Sequence, residues 1–180
     1  MPNAIRAAAL AGRTCREQIG ALPDDLDVAL GWAWRELGIV ADWSAILGPG
    51  RDGFCYAIPG NGTRGRVLLS QHAHYPRLTL VHEMGHLMLA NGAAFSMVCQ
   101  QYQMLLPERE AMAFAVTFLV PDRELCELFA DGATVAQIAG HFGVPDAAVL
   151  ARMQLARLLG EVHTQRLDAA LARLCPDDPD

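Results

Sequence analysis

The sequence of 180 residues has no lysine: all 14 basic residues are arginine, against 20 acids, giving a net charge of −6. That balance excludes a bulk nucleic-acid binder and leaves only a local basic patch as a route to such a partner. Cysteine is scarce and scattered. Cys15, Cys55, Cys99, Cys126 and Cys175 form no CxxC pair, which excludes a disulfide framework and a zinc ribbon and predicts reduced, mostly buried thiols in a cytoplasmic protein. Long apolar runs are missing too. The most apolar one, Ala111 to Val120, is about half of a membrane span of about 20 residues, and Ala7 to Ala11 is too short for the core of a secretion signal. The 16 Gly and 10 Pro follow no period, so a collagen-like chain is excluded. With 52% apolar and 19% charged residues, the chain can bury a sizeable core as one domain, or one domain with a small appendage.

The apolar spacing predicts a helix from Ile5 to Ala21 and a second beginning at Pro23-Asp24-Asp25, with Pro near its first turn and Gly38 ending it. Residues 41–53 are expected to be irregular. Phe54 to Ile58 and Arg66 to Ser70 read as strands joined in a hairpin by Pro59-Gly60-Asn61-Gly62. A helix follows from Pro76 to Ala90, closed by Asn91-Gly92, and another from Pro107 to Val120, stopped by Pro121. Asp122 to Leu174 is expected to be helical, with breaks near Gly132, Gly143 and Gly160. The fold class is α+β: a small sheet with many helices.

Residues 82–86 read His82-Glu83-Met84-Gly85-His86. Two histidines four apart share one face of a helix, so both imidazoles can meet one metal ion. Glu83 is offset, beside the metal rather than on it, where it can take a proton from coordinated water. A chain of this composition meets the pattern by chance only about 0.01 times, so a metal is the stronger reading. A catalytic zinc usually takes a third protein ligand. Glu108 and Glu110, at the start of the next helix, are the candidates. They are two apart and point to different sides. Ala111 and Ala115 share the side of Glu108 and would let it press against the histidine helix, so Glu108 is preferred.

The run Arg77 to His86, followed by Glu108-Arg109-Glu110-Ala111-Met112-Ala113-Phe114-Ala115 and Leu119-Val120-Pro121, resembles the ImmA/IrrE metallopeptidases. Phe54 to Tyr56 and Val67 to Leu69 sit where that family has its preceding strands, and Gly132 to Arg152 is similar to its helix-turn-helix-like C-terminal part. The resemblance covers about residues 23–160. It implies a zincin-type core over residues 1–130 with a helical part over 131–180 packed on it, in a stand-alone version with no preceding repressor-type domain. It further implies a gluzincin-like, cytoplasmic regulatory endopeptidase that cuts a helix-turn-helix repressor, in phage, mobile-element or DNA-damage contexts. In that reading zinc, with manganese as the alternative, is held by His82, His86 and Glu108, and Glu83 is the general base. Candidates for stabilising the oxyanion are His72, His74, Tyr75, Arg77 and Tyr102. Two positions depart from the family: Met112 stands where Asn or Asp usually helps orient a histidine ligand, and Asn91 where many members carry a further His. Met112 favours the alternative reading, a non-enzymatic regulator with a vestigial protease fold that binds a repressor or DNA.

Thr134 to Leu159 has helix-turn-helix spacing, with Arg152, Gln154 and Arg157 as possible DNA contacts. Residues 133–175 hold four Arg and three acids, a net of +1, too weak a footprint for DNA. Packing on the core through Ile138, Phe142, Val149, Leu150 and Leu155 is expected instead, with Arg152 and Arg157 at the margin for a protein partner. His141 is read as an ordinary side chain. Trp32, Trp34 and Trp43 are expected in the core, as are Met97, Met104 and Met153, and the acidic end, Asp177-Asp178 and Asp180, is expected to be solvated.

Overall fold

A computed structural model of the chain describes residues 2–47, 50–58, 63–89 and 105–159. Residues 59–62, where the sequence predicts a turn, the stretch 90–104 with Asn91, Met97, Cys99, Tyr102 and Met104, and residues 160–180 with Cys175 and the acidic end lie outside these. The fold is α+β, mostly helical with a small three-stranded sheet.

Helix α1 (Pro2–Ile19) presents Ala8, Ala9 and Cys15, all buried, to the later helix α4 (Leu105–Leu119). The two backbones nearly touch: a Cβ on Gly12 would stand 2.3 Å from the Phe114 carbonyl oxygen. The Thr117 hydroxyl sits in the same crossing, 2.9 Å from the Ala9 carbonyl oxygen. Helix α2 (Leu26–Leu37) is capped by Asp25, whose carboxylate accepts from the Val28 N–H at 3.0 Å. Pro23 therefore precedes the cap and is not in the first turn. Gly38 ends the helix at φ 65° and gives its N–H to the Ala33 and Trp34 carbonyls.

Strand β1 (Ile39–Ser44) takes in the first four residues of the stretch expected to be irregular. It runs parallel to β3 (Gly65–Ser70), with Ile39 opposite Gly65 and Ser44 opposite Ser70. Ala41 and Ser44 are buried, and these small residues blunt the apolar signal by which strands are recognised. Strand β2 (Gly53–Tyr56) pairs antiparallel with the other edge of β3, as the hairpin reading requires, giving the order β1-β3-β2. Helix α3 (Pro76–Leu89) lies across β2 and β3 and packs against α4. Trp32 is buried edge-on against Phe118, but Trp34 and Trp43 are exposed, contrary to expectation. The Trp43 ring is exposed on β1, and its indole N–H reaches Asp27 at 3.1 Å.

Beyond Pro121, α5 (Asp122–Ala130), α6 (Val135–Phe142) and α7 (Asp146–Leu159) follow. Thr134 and Gln137 form a reciprocal capping box at the start of α6, and Gly143 closes it at φ 64°. Ile138, Phe142, Val149, Leu155 and Met153 are buried in the common core, with Leu150 packed against it. Among the described residues, no helix is long and apolar enough to cross a membrane.

Candidate metal centre

Helical spacing puts His82 and His86 on one face of α3, their rings edge to face with centroids 4.8 Å apart. Glu108 arrives from the first turn of α4. It can come this close because α3 carries Gly85 at the crossing: a Cβ there would meet the Ala111 carbonyl oxygen at 3.2 Å and the Phe114 ring at 3.2 Å. Ala111 and Ala115 on the facing side of α4 are fully buried. The missing side chains are what draw the two helices together.

The result is a tight triangle. Glu108 Oε2 lies 3.0 Å from His82 Nε2, Glu108 Oε1 lies 3.3 Å from His86 Nε2, and the two Nε2 atoms are 3.1 Å apart. Ligands held tetrahedrally at about 2.0–2.1 Å from one zinc ion stand about 3.3 Å from each other, so this spacing fits a single small divalent cation. Hydrogen bonds from the His82 and His86 rings hold the Glu108 carboxyl well below the usual carboxylate range, so it need not lose a proton to bind a cation. His86 is buried and His82 nearly so, whereas Glu108 is 48% exposed, leaving the site open on one side. Glu110 is not in this group.

The Nδ1 atom of His82 is buried without a hydrogen-bond partner among the described residues. An acceptor there normally fixes the ring of a metal-binding histidine. Met112 faces elsewhere: with Ile5, Val116 and Leu155 it lines a groove of about 420 Å³ between α1, α4 and α7.

Glu83 turns from the triangle toward β2. Its Oε1 would be 3.1 Å from a Cβ on Gly53, and burial, with the Glu83 charge nearby, pushes the Cys55 thiol far above its ordinary value. Neither residue stood out in the sequence, although glycine in a strand is a sign of close approach. Of the candidates for an oxyanion, Arg77 is committed elsewhere, 3.1 Å from the Asp24 carboxylate and 3.3 Å from the Leu22 carbonyl oxygen. His72, His74 and Tyr75 are exposed in the link before α3. Tyr102 is outside the described residues.

The model of the IrrE N-terminal-like domain, Peptidase_M78, matches residues 47–154. The chain belongs to this family. No curated protein and no solved structure matches it. Membership of this peptidase family makes a metallopeptidase-type function the reading for the triangle, since the matched segment contains His82, Glu83, His86 and Glu108. The segment omits α1, which nevertheless braces the family's α4 from behind.

The same segment contains most of the helix-turn-helix-like pair. Arg152, expected at its margin, is 1% exposed. Its Nε donates to the Val120 carbonyl at 2.9 Å and its Nη2 lies 3.5 Å from Asp122. The carbonyls at the end of α4 have no partner within their own helix, and a buried guanidinium is drawn to them. Arg157 and Gln154 are exposed, and His141 pairs with Glu124 at 2.9 Å.

Proposed function

We propose that the protein is a cytoplasmic zinc endopeptidase that cuts a helix-turn-helix repressor, with His82, His86 and Glu108 as the metal ligands and Glu83 as the general base. The convergence of two imidazoles and one carboxylate within 4.8 Å carries the reading. Bound zinc, or manganese in its place, supplies Lewis acidity that polarises a peptide carbonyl and lowers the pKa of coordinated water. Glu83, next to His82 but turned off the triangle, takes a proton from the attacking water at a carboxylate oxygen and returns it to the leaving amine. The exposed side of Glu108 admits the extended peptide, while α3 and β2 exclude water from the other side.

The repressor substrate rests on the resemblance to ImmA/IrrE proteins, and the helix pair α6 and α7 beyond Pro121 is the surface assigned to recognising it. Burial of Arg152 removes one of three side chains that would have reached DNA, so a protein partner is favoured over direct DNA binding. The test is to incubate the zinc-loaded protein with a purified helix-turn-helix repressor and read cleavage by mass spectrometry. Loss of cleavage on chelation and its return with zinc support the reading; persistence in Glu83→Gln refutes it. The unpartnered His82 Nδ1 favours a second reading, a weakly metallated regulator that binds the repressor without cutting it. In that case Glu83→Gln keeps the full biological effect.

A further inference from the structure

The groove of about 420 Å³ between α4 and α7 is closed by Ile5 of α1. Met112, Ala113 and Val116 line it from α4, and Ala151, Leu155 and Leu158 line it from α7. Each set repeats at three- and four-residue spacing, so each is one apolar face of its helix. Ala113, Val116 and Leu155 form a buried floor, Met112 and Ala151 are half-buried, and Leu158 is 38% exposed at the mouth. Two helices that leave apolar stripes on either side of a gap fit a third helix, whose side chains fill it.

The chain itself supplies a matching stripe. After α7, Leu167, Ala170, Leu171 and Leu174 recur at helical spacing between Gly160 and Pro176, two residues that break helices. On such a helix Arg166 and Arg173 flank the stripe on one side and Asp168 on the other. The bond from Arg152 to the Val120 carbonyl holds the middle of α7 at the end of α4. The later turns of α7, with Leu158, therefore extend toward the start of α4, where Arg109 also lines the groove.

We propose that residues 164–174 lie in this groove as a helix antiparallel to α7, with Leu167, Leu171 and Leu174 in the gap. The link 160–163 has an ordinary length for two antiparallel helices. Glu161 and Asp168 then come to the end marked by Arg109, whose charge complements theirs. Tethering favours this occupant over a separate partner, because a short link holds the segment at an effective concentration on the order of mM. The packing does not depend on the chemistry at His82 and His86.

Hydrogen exchange of the full chain, read by mass spectrometry, tests it. Amides of 164–174 should exchange at least about 10-fold more slowly than those of a free peptide of the same sequence. Leu158→Glu, which charges the exposed mouth, should remove most of that protection while 76–89 and 105–119 keep theirs. Leu171→Glu, which leaves α1 to α7 unaltered, should do the same. A segment that exchanges like the free peptide in the unaltered protein overturns the proposal, as does protection that neither substitution removes. Protection of 109–116 and 151–158 that appears only on adding a helix-turn-helix repressor, or only as the concentration of the protein rises, gives the groove to that partner or to a second copy and overturns it too.

Discussion

The two ends of α4 each carry a charge that suits the helix dipole, and the fold treats them differently. At the start, Glu108 meets two imidazoles and remains half exposed. Just past the end, Arg152 is sealed against the Val120 carbonyl and Asp122 at 1% exposure. Both arrangements obey the rule that anions favour helix N-termini and cations favour C-termini. The guanidinium's bonding is spent on the fold, whereas the carboxylate and its histidines keep coordinating capacity facing solvent. A charged side chain points to function where its own fold leaves that capacity open.

Substitutions at the open end should give the largest effects on activity. His82→Ala should lose both metal and cleavage, while Glu83→Gln should keep the metal and lose about 10²–10⁴-fold in cleavage rate. Metal analysis alongside the cleavage assay separates the two. At the sealed end the effect should be on stability. Arg152→Ala removes one partner of a buried pair and should cost about 3 kcal/mol by urea unfolding, with the metal retained. Exposed Arg157→Ala should stay within about 0.5 kcal/mol. Equal costs for the two would erase the contrast between the ends.

Smaller changes sharpen the comparison around Glu83. Gly53→Ala forces a Cβ against Glu83 and Thr79, so kcat should fall about 10-fold or more while unfolding shifts by about 1–3 kcal/mol. The smallest expected effect is that of pH on the metal-free protein. Glu108 is held below the usual carboxylate range by His82 and His86. A carboxyl depressed in the folded state stabilises it above the ordinary value of about 4.3, and this is lost as pH falls through the lower folded value. Acid unfolding curves should therefore weaken below about pH 4. Glu108→Gln should flatten that limb slightly, because a half-exposed group is screened.

The triangle was legible because its signal is local: four-residue spacing on α3 and small residues at Gly85, Ala111 and Ala115. The ends of α2 and α6 were legible for the same reason, through Gly38 and Gly143. Strand β1 was not, because its buried positions include the small residues Ala41 and Ser44 and its partner β3 comes after β2 in the chain. Arg152 looked like a surface cation because nothing in a sequence says which distant carbonyl needs a donor. Trp34 and Trp43 looked like core because an aromatic ring is counted as apolar, although the Trp43 N–H prefers the rim beside Asp27.

Anomalous diffraction at the zinc edge from zinc-soaked crystals tests most directly whether one divalent ion is held between α3 and α4. A single strong peak is expected, about 2.0–2.1 Å from Nε2 of His82 and His86 and about 2.0–2.2 Å from one Glu108 carboxylate oxygen. A peak ligated by Glu110 in place of Glu108, or no peak between the two histidines, would contradict it.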